Sequence, residues 1–161
     1  MTREEALKKA LDSVDQDYIV KIRREIHEYP EVQFDLPRTI AVIKRELDAI
    51  GLEYTEKYGE SSVVATLNPE KTNFTIGIRA DMDALPLTEK TGLPYASKIP
   101  GQMHACGHDA HTAMLLGTAK ALYAVKDELA ALSSCSSPVK RSEAAPNIWC
   151  ATASWMTSTS S

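Results

Sequence analysis

The sequence predicts an α/β fold, a partial mixed sheet flanked by helices, and three observations predict it. Apolar residues recur at helical spacing through residues 2–50. Short apolar runs bounded by turn formers follow. The most apolar of these runs leads into a pair of aspartates, and a histidine-rich loop then opens another helical stretch.

Each element has a local reason. Thr2 and Glu5 have capping-box spacing and open a first helix through about Val14. A second helix carries Ile19, Ile22, Ile26 and Tyr29 on one side and stops at Pro30. Asp35 followed by Pro37 marks a third helix start. Ile40, Ile43, Leu47 and Ile50 then keep helical spacing, and Gly51 supplies the C-cap. Residues 52–57 and 62–67 read as short strands, and Asn68-Pro69-Glu70-Lys71 as a turn. Phe74 to Ile78 is a third strand, apolar enough to lie centrally. In open α/β sheets ligand sites lie at the carboxyl ends of strands. Asp81 and Asp83 follow this strand directly. Thr88 to Gly101 is an irregular loop. Asp109 is expected to cap a helix running to about Lys126, packed through Ala113, Met114, Leu116, Gly117 and Ala121.

Composition excludes several classes. A chain of 161 residues suffices for one domain. Its formal charge of −4 gives no basic footprint, so nucleic acid is not an expected partner. The charged start Met1-Thr2-Arg3-Glu4-Glu5 has no apolar core behind it, which argues against a secretory signal. No apolar run approaches membrane-spanning length, so no membrane partner is expected. Three scattered cysteines make no disulfide framework, and a reducing cytoplasm is the expected location.

The chemistry concentrates in His104-Ala105-Cys106-Gly107-His108-Asp109-Ala110-His111. Thiolate, imidazole and carboxylate are the ligand types that zinc and similar divalent ions take. Cys106 and His108 are two apart, so an extended loop can turn both to one side. A Cys-x-His pair is weak evidence by itself. His104 and His111 read more simply as residues that support a ligand or cap a helix. Asp83 alone would be a turn aspartate before Pro86; opposite a metal loop it becomes a carboxylate that hydrogen-bonds a ligand imidazole. Asp81 reads as structural, and His27 as an exposed histidine at a helix end.

Three blocks, Arg24 to Thr39, Arg79 to Pro86 and His104 to His111, together resemble one family. It is the metallopeptidase/amidohydrolase family of hippurate hydrolases, N-acyl-amino-acid amidohydrolases and auxin-conjugate hydrolases. Carboxypeptidase G and aminoacylase are more distant relatives. The resemblance runs from about residue 17 to about 129, and the Met-His-Ala-Cys-Gly-His-Asp-Ala-His run is its most specific part. It implies the amino-terminal part of a zinc-peptidase-like catalytic domain in residues 1–129. It also implies two divalent metal ions, zinc or manganese, with nickel or cobalt also open. Cys106 resembles the ligand bridging the two metals, His108 a terminal ligand, and Asp83 the catalytic-site aspartate that orients the centre. The implied substrate is an N-acyl amino acid or related small amide. The implied general base is a glutamate in a Phe-Gln-Pro-x-Glu-Glu segment, whose second glutamate is a ligand; two later histidines complete the site. A homo-oligomer of the full-length parent stays open.

That later segment is absent. Residues 130–161 are rich in Ser, Ala and Thr, with Glu143 the only acidic residue and no steady apolar period. A disordered tail is expected there. The genetic code supplies a reason. Codons read one base earlier can spell Val-Lys-Leu-Leu-Phe-Gln-Pro-Ser-Glu-Glu between Ala131 and Arg141. Further on, Trp149-Cys150 forces Val, and Trp155-Met156 and Met156-Thr157 each force Asp. The tail is therefore read as out of frame after a one-base shift near codons 129–131. Two other functional classes remain. One is a cysteine-nucleophile hydrolase using Cys106 with His104 or His108 as base. The other is a non-catalytic metal-binding fragment.

Overall fold

The computed structural model describes residues 1–70, 76–129 and 149–153. Helix α1 (Arg3–Asp12) starts at the expected capping box: Thr2 accepts from the Glu5 N–H, and the Glu5 carboxylate accepts from the Thr2 N–H. Helix α2 (Gln16–Glu28) is capped by Asp15 and presents Ile22 and Ile26 to the core. Helix α3 (Pro37–Ile50) ends at Gly51, whose φ of 86° is the left-handed conformation that glycine adopts at least cost. An added Cβ there would also lie 2.9 Å from the Tyr123 hydroxyl.

Helix α3 starts at Pro37 as expected, and its capping is remote. Asp35 does not cap it. Leu36 is the N-cap residue and makes no side-chain cap bond. Glu31 reaches in instead, accepting from the Arg38 N–H at 2.9 Å and the Thr39 N–H at 2.7 Å. A carboxylate there satisfies orphan donors and meets the positive end of the helix dipole. A distant residue can do this because the chain folds back: Val32 bridges Ala84, and the Ala84 N–H donates to the Glu31 carbonyl.

The strands are β1 (Tyr54–Thr55), β2 (Val63–Thr66) and β3 (Ile76–Ala80), and the long helix α4 is His108–Ala124. β1 and β2 pair antiparallel. β3 reaches Ala80, two residues past the predicted end, which delivers the chain to Asp81 and Asp83. Residues 74–75 and Lys71 lie outside the described residues. α4 is the hub of the packing, touching α1, α2, α3 and β3. Its buried face is Ala113, Leu115, Leu116, Gly117 and Ala119; Met114, expected inside, is 51% exposed. Gly117 permits the close approach of α2, since a Cβ there would lie 2.9 Å from Ile19 Cδ1. The core unites Ile22, Ile26, Leu36, Val42, Ile43, Leu47, Val63, Met82 and Leu116.

A fourth strand, β4 (Trp149–Ala153), falls inside the tail expected to be disordered. It lies between β2 and β3, giving the sheet order β1-β2-β4-β3. It runs parallel to β2, with Val63 opposite Trp149, and antiparallel to β3, with Ala80 opposite Trp149. The physical reason is edge satisfaction. β2 and β3 flank one gap, and a five-residue segment pairs the backbone groups of both. A period-based reading misses so short a run. The rest of the predicted tail lies outside the described residues.

Candidate metal centre

The site forms where the chain leaves β3 and enters α4. Gly107 is the N-cap residue of α4, with a φ of 89°, and no side chain caps the helix. Asp109, expected as the cap, lies in the first turn and points elsewhere. A left-handed residue at the helix entrance turns the loop sharply, which leaves Cys106 exposed just before the helix and His108 as its first residue.

His108 and Asp83 come together. The His108 Nδ1–H donates to the Asp83 carbonyl at 2.9 Å, with Asp83 Oδ1 at 3.2 Å. That bond fixes the tautomer and leaves the lone pair on Nε2 available. Asp81 is paired with Arg79, and its carbonyl accepts from Thr112 Oγ1 at 3.3 Å. His111 is exposed on α4, its ring 5.9 Å from that of His108. It caps nothing.

Behind these residues lies a buried polar cluster that the sequence reading missed. His27 is 4% exposed rather than at a solvated helix end. Its Nδ1 lies 2.8 Å from Asp109 Oδ2 and its Nε2 3.3 Å from Glu89 Oε1. Arg23 Nε donates to the same Asp109 oxygen at 3.1 Å. Asp109 is fully buried, and its Oδ1 has no hydrogen-bond partner among the described residues. One signal could have found the cluster. Arg23 and His27 are one helical turn apart on α2, a spacing that aims two donors at one acceptor.

His104 is buried without a hydrogen bond to either ring nitrogen among the described residues. Burial pushes its pKa down to about 4; Asp109 and Asp83 pull the other way, and His27 and His108 add to the fall. It is a neutral ring at neutral pH, and it caps nothing. For Glu89, burial raises the pKa, but donation from Thr91 Oγ1, the Ser97 N–H and His27 outweighs it, and the net shift is down.

A thiol and an imidazole nitrogen are donors that suit a borderline-soft divalent ion. Cys106 and His108 carry donors of those two kinds. Among the described residues, no group of three or more His, Cys, Asp or Glu side chains is arranged to hold a metal. The amino-acid pattern around Cys106 and His108 is shared with known proteins. Residues 77–134 match peptidase family M20/M25/M40. Asp83, Glu89, His104, Cys106, His108 and Asp109 all fall within the M20 segment. Thermostable carboxypeptidase 1 of Saccharolobus solfataricus is 46% identical over 70% of this chain and 29% of its own length. The N-acyl-L-amino acid amidohydrolase of Geobacillus stearothermophilus is 42% identical over 80% of this chain and 34% of its own. The YXEP protein of Bacillus subtilis is described as a dinuclear metal-binding peptidase of the M20 family. Its crystal structure superposes with a TM-score of 0.63 at 38% identity, covering 73% of this chain and 35% of that one. The chain thus spans about a third of the length of the curated relatives it matches. The resemblance is to hydrolases. No helix among the described residues is long and apolar enough to cross a membrane.

Proposed function

We propose that this chain is the amino-terminal part of a metal-dependent amidohydrolase acting on N-acyl amino acids or related small amides. The observation that carries the reading is the His108–Asp83 pair, which turns a ligand-ready nitrogen outward two residues from an exposed thiol. Cys106 and His108 would hold a divalent ion, one of two in the parent, with zinc or manganese the first choices and nickel or cobalt alternatives. When bound, such an ion supplies Lewis acidity toward an amide carbonyl. Asp83 keeps the proton on His108 Nδ1 and so presents Nε2 in one orientation. The expected setting is cytoplasmic.

The general base implied by the resemblance sits in a Phe-Gln-Pro-x-Glu-Glu segment that this sequence does not contain. Loss of a group that acts as part of a unit costs orders of magnitude in rate. The chain is therefore expected to release no amino acid from N-acetyl or N-benzoyl amino acids in a colorimetric assay, with or without added zinc or manganese. Turnover that depends on metal would overturn the assignment of the base to the absent segment. Turnover that survives a chelator and dies with a thiol alkylating agent would favour a Cys106 nucleophile. No hydrogen bond joins Cys106 to a histidine among the described residues, which gives that route no structural support. A non-catalytic metal-binding fragment is the second reading, favoured by the two-donor site.

A further inference from the structure

We propose that His27 is a positioning residue for Cys106 and His108, acting through Asp109. This rests on the metal-ligand reading of those two residues and adds a group outside it. The argument begins with what does not hold the start of α4. Gly107 is in the left-handed region, no side chain caps the helix, and a Cβ on Gly107 would meet nothing within 4 Å. Within the turn, the Gly107 carbonyl accepts from the Ala110 and His111 N–H groups at 3.0 Å each, but no side chain of the turn itself caps it. What fixes it must come from other elements.

Asp109 supplies that fixation. It immediately follows His108, is fully buried, and offers one carboxylate oxygen to two residues of α2, His27 at 2.8 Å and Arg23 at 3.1 Å. The two donors differ in freedom. The Arg23 side chain is 43% exposed and belongs to a long flexible stem, whereas the His27 side chain is 5% exposed. His27 is further confined by Tyr95, whose ring meets it edge-on at 5.6 Å. Its other nitrogen faces Glu89.

Glu89 organises the loop after Asp83. It accepts from the Ser97 N–H at 2.6 Å and from Thr91 Oγ1. The loop is closed at its base by paired backbone bonds between Leu85 and Met103. It is tied to α2 a second time, because the Lys98 N–H donates to the Glu28 carbonyl at 2.8 Å. One imidazole thus joins three segments: the end of α2, the loop that leaves Asp83, and the turn that carries His108. Truncating it leaves two carboxylates, Glu89 and the fully buried Asp109, without a shared donor. Arg23 then remains as a donor to Asp109, and a fully buried carboxylate that loses one of its two donors is disfavoured, so the first turn of α4 would move to rehydrate Asp109.

The test uses the full chain with Cys135 and Cys150 replaced by serine, titrated with cobalt(II), so that thiolate charge-transfer absorption reports Cys106. His27→Ala, His27→Gln and the core truncation Leu47→Ala are compared with wild type. Hydrogen exchange of the α4 first-turn amides is followed alongside. His27→Ala is expected to weaken cobalt binding by about tenfold, the low end for residues supporting a metal ligand, and to speed exchange at residues 109–112. His27→Gln, which still donates to one carboxylate, should recover part of both and covers the case in which the alanine variant does not fold. Leu47→Ala should lose stability yet keep the wild-type spectrum. Wild-type affinity and wild-type exchange in folded His27→Ala would overturn the proposal, as would equal changes in Leu47→Ala. If wild type gives no thiolate–cobalt band, the metal-ligand reading fails. The exchange comparison then decides by itself whether His27 sets the start of α4.

Discussion

His104 shows at the scale of one residue how burial and charge trade off beside the site. Its ordinary pKa of 6.5 falls to about 4 in the folded chain, chiefly because burial disfavours the imidazolium. Between those values the unfolded chain binds a proton that the folded chain does not. Stability is therefore complete above about pH 6.5 and declines as pH falls toward about 4. Glu89 adds to the same trend by the opposite route. Its folded carboxyl is lowered, so its contribution is present above 4.5 and lost on further acidification. Urea midpoints of the chelator-treated chain should accordingly fall on acidification through this range, and His104→Phe should flatten the upper part of the slope. A variant slope equal to wild type would remove His104 from the account. The contact that the sequence made legible here is the one with a chemical signature: His108 meets Asp83, its Nδ1 2.9 Å from the Asp83 carbonyl. Those that it concealed carry no signature in one dimension. Asp109 looks like a cap because it precedes a helical run, and His27 looks solvated because it ends one. Only the packing of α2 on α4 reveals that they face each other.

Elements were legible in proportion to how local their causes are. The capping box of α1, the Gly51 terminus of α3 and the apolar spacing of α2 and α3 all act within a turn or two, and each appears where the residues place it. The start of α3 at Pro37 is legible too, but not the acceptor that satisfies it, because Glu31 lies on the far side of a turn. β4 was missed because its reason is the gap between two other strands rather than its own pattern. The remote cap gives a sharp expectation. Glu31→Ala leaves two N–H groups at the start of α3 without their acceptor and should destabilise the chain by about 0.5–2 kcal/mol, the range for a lost helix cap. Glu31→Gln, which can still accept one bond, should lose less. Asp35→Ala should be near neutral, although Asp35 is the residue that sequence spacing nominates. Thermal or urea unfolding of the three variants separates these outcomes, and a larger loss for Asp35→Ala than for Glu31→Ala would reverse the assignment.

For the whole molecule, the decisive observation is that no group of three or more His, Cys, Asp or Glu side chains among the described residues is arranged to hold a metal. The M20 match reaches residue 134 and then stops, while the shifted reading frame can spell the missing Phe-Gln-Pro-Ser-Glu-Glu just beyond. A two-donor corner gives little affinity for a divalent ion, whereas closed zinc sites use four protein ligands and catalytic sites commonly three. The frame-shift reading fixes particular bases. Hidden Phe-Gln-Pro requires Ser136 to be encoded by TCC and Ser137 by AGC. Hidden Ser needs CCA for Pro138, and the glutamate pair needs GTG for Val139, AAG for Lys140 and an AG-type codon for Arg141. Chance offers no reason for these choices to occur together. Resequencing the coding DNA across codons 126–145 should find them all, together with one surplus or missing base near codons 129–131. The protein expressed from the corrected frame should then bind cobalt(II) more tightly than the present chain and hydrolyse N-acyl amino acids in a metal-dependent way. Any other base at the positions that spell Phe, Gln, Pro or Glu breaks the hidden motif, whereas the Pro138 base sets only its variable residue. The tail would then be this chain's own, and β4 would be an authentic strand closing the sheet between β2 and β3.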